Sequence, residues 1–218
     1  MEHLEGKHIT PPDNRNYEYS NNQSFELAKE RLNGINDLAA LCEKSGTNYD
    51  ASTKAITVNY LNSKYVVTLP DLAISIVGSN EDLPIREKIL VLHYILTAKG
   101  TPLTNNKIAF KELPEGIVYF RTFVQRTIRH IVANFSREPA KLIEAGEKFG
   151  GRKADLGDAA VTIDVLPRVP VTFLVWSGDE EFGAEGNILY DSTITDYLPT
   201  EDIIVLSETI TWKLVRSK

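Results

Sequence analysis

Apolar and polar residues follow two periods along this chain. From about Gln23 to Lys44, Phe25, Leu27, Leu32, Ile35, Leu38, Leu41 and Cys42 recur at helical spacing, and Gly46 stands where a helix stop belongs. Ala55–Tyr60 and Tyr65–Leu69 are rich in β-branched and aromatic residues and flank Asn62-Ser63, which predicts a hairpin. A short strand is expected over Ala73–Val77, ending at Gly78. Pro84 opens a second helix to about Lys99, with Ile85, Ile89, Leu92 and Leu96 as its apolar stripe and Gly100 past its end. A third helix is expected from about Pro114 to Asn134, and a shorter one from Glu138 to Phe149, stopped by Gly150-Gly151. Ala160–Leu166, Val171–Trp176 and Ile188–Tyr190 then read as strands. Thr200 reads as the N-cap of a last helix to about Arg216, where Glu201 and Asp202 suit the positive end of the dipole.

Strands and helices are segregated rather than alternating. This order predicts an α+β fold, an antiparallel sheet packed with four to five helices, and argues against a doubly wound parallel sheet. Residues 1–22 are polar, Asn-rich and contain Pro11-Pro12. They have little apolar surface to bury and predict a flexible arm before a single domain over 23–218. His3 and His8 lie in that arm.

Composition narrows the function classes. The 218 residues are 42% hydrophobic and 25% charged, which suits one globular domain. The net charge of -6 argues against a nucleic-acid partner. No run reaches the roughly 18–20 apolar residues of a membrane span, and MEHLEGKHIT has no apolar signal core, so a cytoplasmic protein without a membrane partner is expected. Cys42 is the only cysteine. No disulfide, zinc ribbon or iron–sulfur cluster can be built from this chain alone, and Cys42 reads as a small buried helix residue.

The common catalytic motifs are absent: no GxGxxG, P-loop, GxSxG or HExxH. Gly150-Gly151-Arg152-Lys153 sets a glycine pair beside two cations, but it ends a helix where a phosphate site would begin one. His93 shares the apolar face of its helix with Ile89, either as a satisfied core residue or as an inward ligand. The third helix carries Arg126 and Arg129 near His130, and no acid occurs from Gly116 to Arg137. That stripe is a solvated face or a receptor for carboxylates and phosphates. The opposite charge collects in WSGDEEFGAEGNILYD, where Asp179, Glu180 and Glu185 sit among Trp176, Phe182 and Tyr190. Clustered oxygens suit a hard cation, although the spacing does not match an EF-hand.

The segments HYILTAKGTPLTNNKIAFKELPEGIVY, VLPRVPVTFLVWSGDEEF and ILYDSTITDYLPTEDIIVLSE resemble the family catalogued as domain of unknown function 3786, over roughly Ser24 to Leu214. Its members look like proteins of anaerobic bacteria and archaea. Some relatives carry an amino-terminal four-cysteine iron–sulfur module similar to that of corrinoid proteins and their activators. The resemblance therefore implies work near anaerobic redox or corrinoid chemistry, but this chain has no such cysteines and the cluster is not carried over. Family-like positions fall on His93, Tyr94, Glu112, Tyr119, Arg168, Trp176, Asp179, Glu180, Phe182, Asp191, Tyr197 and Glu201.

Three functions are expected from these observations, and binding is favoured over catalysis. The first is a small-molecule-binding protein for a corrinoid or related tetrapyrrole. His93 would offer an axial or hydrogen-bonding nitrogen, Trp176, Phe182 and Tyr197 would pack on the ring, Arg126, Arg129 or Arg168 would meet its carboxylates or a phosphate, and Tyr119 is a further cofactor-binding candidate. The second is a hydrolase or transferase using Asp179, Glu180 and Glu185, with or without a metal. The third is a non-catalytic partner of a corrinoid or iron–sulfur protein.

Overall fold

The computed structural model describes residues 14–218, with side chains from Ser20 onward; His3, His8 and most of the expected arm lie outside the described residues. Helix α1 (Asn14–Asn33) begins inside the segment expected to be an arm, so residues 14–22 are helical. Its buried Ala28 and Leu32 anchor it on the core, and such packing extends a helix that composition alone does not favour. The single helix expected over 23–44 is in fact two. Gly34 to Asp37 interrupt it, and α2 (Leu38–Ser45) restarts with Asp37 accepting the Ala40 N–H at 2.9 Å. Gly46 closes α2 at φ 65°, where a left-handed residue costs glycine least. Cys42 is buried on α2.

A four-stranded antiparallel sheet follows in chain order: β1 (Asn48–Asp50), β2 (Ala55–Tyr60), β3 (Ser63–Thr68) and β4 (Ala73–Ile76). The hairpin turn is Leu61-Asn62, one residue earlier than expected. Both have positive φ, 48° and 61°, the two-residue geometry that matches strand twist. Helix α3 (Ile85–Thr97) then starts after Pro84.

The third expected helix also divides, into α4 (Gly116–Arg126) and α5 (Ile128–Phe135). The break is Thr127, at φ -130° and ψ -80°, whose hydroxyl donates to the Phe123 carbonyl at 2.6 Å. Helix α6 (Ala140–Glu147) ends before Gly150, whose φ is 74°, and the Gly151 N–H returns to the Gly146 carbonyl at 2.9 Å. Arg152 opens strand β6 (Arg152–Ala154) and forms a forked ion pair with Asp164. The glycine pair is thus a helix stop leading into a strand.

The second sheet is antiparallel in the order β5 (Lys107–Ala109), β9 (Glu185–Asp191), β8 (Val169–Trp176), β7 (Ala159–Leu166) and β6. The described residues hold two sheets where one was expected. The chain leaves the first through α3, and the later strands pair among themselves. The Leu61 N–H donates to the Val165 carbonyl at 3.0 Å, joining the first sheet's hairpin to β7. β7 and β8 are almost wholly buried, and their side chains share one core with α3 and the last helix, α7 (Thr200–Arg216). Thr200 is the first residue of α7 rather than its N-cap, and its hydroxyl donates to the Pro114 carbonyl at 2.9 Å. The architecture is α+β.

Candidate functional site

Helices α3 and α7 meet in opposite directions. His93, late in α3, reaches Asp202, early in α7; Arg86, early in α3, approaches Glu208, farther along α7. Ile89 and Leu90 on one helix and Val205 on the other lie between these polar ends. Ser20, Asn21 and Ser24 of α1 add a wall, and Arg126 comes from the end of α4. Together they line a cleft of about 430 Å³, within the usual range for small-molecule sites.

At one end the His93 Nδ1 lies 2.7 Å from the Asp202 Oδ2. A carboxylate only accepts, so Nδ1 donates, and in the neutral imidazole Nε2 is left as an acceptor. The imidazole is 26% exposed and the carboxylate 12%, so the pair is shielded yet open to the cleft. The turn after His93 is fixed by the Thr97 hydroxyl, which donates to the His93 carbonyl at 2.7 Å.

At the other end, the Nη1 atoms of Arg86 and Arg126 lie 3.7 and 3.8 Å from the same oxygen, Glu208 Oε2. Those separations give attraction without a hydrogen bond. Oε2 is buried and accepts no hydrogen bond among the described residues. Both guanidinium groups stay partly exposed, at 44% and 43%. Beside them the buried Glu87 anchors α3: Oε1 lies 3.0 Å from Lys213 Nζ, and Oε2 accepts the Tyr65 hydroxyl at 3.4 Å. Burial, then the Glu87 charge, pushes the Tyr65 hydroxyl well above its ordinary range. This bond therefore runs from a neutral phenol to the carboxylate.

Of the residues singled out from the sequence, His93 and Arg126 share this cleft. The others are dispersed. Tyr197 is fully buried, stacked on Tyr94 with ring centres 6.0 Å apart, and its hydroxyl donates to the Thr101 carbonyl. Arg168 caps the turn between β7 and β8: its N–H donates to the Tyr94 hydroxyl at 3.1 Å, and its buried Nε has no hydrogen-bond partner among the described residues. Tyr119 is half-buried against the core from α4. Trp176 ends β8, and Phe182 sits in the loop beyond it, 71% exposed. The expected wall of Trp176, Phe182 and Tyr197 around one flat ring is therefore not assembled, because the core takes Tyr197 and the loop carries Phe182 away.

Arg129 lies on a separate open groove of about 450 Å³ between α5 and the start of β9, which Glu185 also lines. The basic helix and the acidic loop are thus neighbours. Asp179 is used by its own loop, accepting the N–H groups of Phe182 at 2.7 Å and Glu181 at 2.8 Å. Those bonds hold its carboxyl below the ordinary range. Glu180 is exposed. Among the described residues no three His, Cys, Asp or Glu side chains gather to hold a metal ion, so Asp179, Glu180 and Glu185 do not form a coordination set. Glu112, one of the family-like positions, accepts the Ala109 N–H at 2.6 Å in the short 3-10 turn before α4.

Sequence reasoning missed Arg86, Asp202 and Glu208 as site residues. Arg86 lies seven positions before His93, two helical turns along the same face, and that spacing was a usable signal. Asp202 and Glu208 had none, since their partners are far away in the chain.

No helix among the described residues is long and apolar enough to cross a membrane. Residues 37–212 match a family model described as a domain of unknown function (DUF3786). No curated protein and no solved structure matches the chain.

Proposed function

We propose, from the premise that the chain belongs to the DUF3786 family, that it is a cytoplasmic small-molecule-binding protein whose site is the cleft between α3 and α7. The observation that carries this reading is the His93–Asp202 pair at 2.7 Å. A carboxylate orients the imidazole, and in its neutral form the second ring nitrogen is an acceptor in a residue that lines the cleft. Arg86 and Arg126 supply cationic forks at the opposite end, which suits a ligand bearing an acid.

A corrinoid or related tetrapyrrole suits this reading by its edge. The cleft admits an acidic arm rather than a whole macrocycle, with His93 as a hydrogen-bonding nitrogen and Arg126 beside the acid. Arg129, Arg168, Trp176, Phe182 and Tyr197 have no part in it. The test is a titration of a cobamide, which carries a phosphate, and of haem, which carries propionates, into the purified protein, followed by visible absorbance. A saturable spectral change at tens of micromolar is expected, weakened in His93→Ala. No change with either compound overturns the tetrapyrrole reading.

The same pair favours a second reading. An imidazole oriented by a carboxylate is a general base, so a hydrolase or transferase would use His93 to take a proton from water or a hydroxyl. In that case Asp202→Asn would lower turnover by orders of magnitude while leaving ligand affinity nearly unchanged. A variant that loses affinity and turnover in parallel would overturn it.

A further inference from the structure

The cleft has two chemically different ends and an apolar middle. On α3, Arg86 and His93 are seven residues apart, which places them about 10 Å apart along the axis. On α7 the order is reversed, so Glu208 joins the Arg86 end and Asp202 the His93 end. Ile89, Leu90 and Val205 separate them.

The two ends differ in charge and in hydrogen-bonding sense. At the Arg86 end two guanidinium groups converge on one carboxylate oxygen, leaving an excess of one positive charge. Neither makes a hydrogen bond to that oxygen or to any other group among the described residues, which leaves their N–H donors for a second oxyanion. At the His93 end Asp202 holds the donor nitrogen, and Nε2 of the neutral imidazole is an acceptor. Glu201 also lines this end. A carboxylate placed there would meet the like charges of Asp202 and Glu201; a hydroxyl or ammonium would meet the imidazole acceptor and those carboxylates.

We infer that the group this cleft takes is an elongated amphipathic acid: an oxyanion at Arg86 and Arg126, an apolar body against Ile89, Leu90 and Val205, and a hydroxyl or ammonium donor at His93. An extended chain of about six to eight bonds spans that distance. The acid is either a free molecule or the arm of a larger one. The inference rests on the cleft being a ligand site, and it fixes the ligand's polarity and orientation.

The experiment uses the full chain and five linear probes: ω-hydroxyoctanoate, ω-aminooctanoate, octanoate, octanedioate and octylamine. Binding is measured by calorimetry and by backbone amide NMR shifts. The hydroxy and amino acids should bind tightest, with octanoate about tenfold weaker for the loss of one hydrogen bond. Octanedioate should be weaker still, and octylamine should not bind. Comparing the hydroxy and amino arms separates hydrogen bonding to His93 from charge attraction by Glu201. Arg126→Ala, at a partly exposed position, should weaken the acids about tenfold or more with an unchanged circular dichroism spectrum. Equal or tighter binding of octanedioate or octylamine overturns the inference, as does the absence of amide shifts around the cleft at millimolar probe. Tetrapyrrole binding without any linear acid would overturn this inference and leave the binding reading standing. Failure of both would remove the binding reading too.

Discussion

Replacing Asp191 should weaken the fold at the point that positions α7. Asp191 ends β9 and is buried. Its Oδ1 accepts the Thr104 N–H at 3.2 Å, the Thr104 hydroxyl at 3.1 Å, the Thr193 N–H at 3.1 Å and the Thr193 hydroxyl at 2.8 Å. Its Oδ2 accepts the Asn105 N–H at 2.6 Å. One carboxylate thus ties the segment before β5 to the turn that leads into α7 and Asp202. In Asp191→Ala three backbone N–H groups lose their acceptor, at about 1 kcal/mol each, for roughly 3 kcal/mol in all. For a chain of this size that lowers Tm by roughly 6–12 °C. Burial pushes the Asp191 carboxyl upward, but the bonds from Thr193 and Thr104 outweigh it and hold the group below its ordinary value. The folded state therefore binds this proton less readily than the unfolded state does. The stability contributed is fully present above the unfolded value of about 3.9 and is lost as pH falls through the folded value. Asp191→Asn removes that dependence. Urea unfolding followed by circular dichroism, at about pH 7 and about pH 3, should show the gap between native protein and Asp191→Asn narrowing in acid. A Tm for Asp191→Ala within about 2 °C of native, or a gap that does not change with pH, would refute the reasoning.

Two other substitutions test the packing and the polar core. Gly146→Ala would drive a Cβ into Val161 Cγ2, so overpacking against β7 should outweigh the gain in helix propensity and cost about 1–3 kcal/mol; a raised Tm would contradict this. Tyr94→Phe removes a hydroxyl that donates to the Ser45 carbonyl at 2.6 Å and accepts the Arg168 N–H at 3.1 Å, and should cost about 1–3 kcal/mol by denaturant unfolding, with no loss if neither bond matters.

Much of the fold was legible where one period ran for more than two turns or one full strand. The second helix, β7, β8, the hairpin and the last helix all appear close to their expected places. The helix breaks were harder. Asn33-Gly34 and Asn36-Asp37 did signal the first, but the apolar spacing ran through them. Thr127 carries no glycine or proline signal, and its break depends on a hydroxyl turning back to Phe123. The strands β1, β5 and β6 have three residues each, too short to show a period, and exist because a longer neighbour offers them a ladder. The site was half legible. His93 stood out as a polar residue on an apolar face, and Arg126 as part of a basic stripe. What completes them is tertiary: Asp202 lies 109 residues from His93, and no local pattern links them. Tyr197 shows the converse, since an aromatic residue beside acids reads as a ligand wall when it is fully enclosed by its own fold.

Cys42 is the chain's only thiol, and it is buried on α2. Burial, only partly offset by a hydrogen bond to Thr47, pushes its thiol above the ordinary range and suppresses the reactive thiolate. A thiol reagent therefore reaches Sγ only in molecules whose α2 has lifted from the core. The labelling rate is then a clock for that opening, read at one known atom without introducing any probe. Applied to the Asp191, Gly146 and Tyr94 variants in turn, the clock separates those that loosen the α2 region from those whose damage stays in the second sheet.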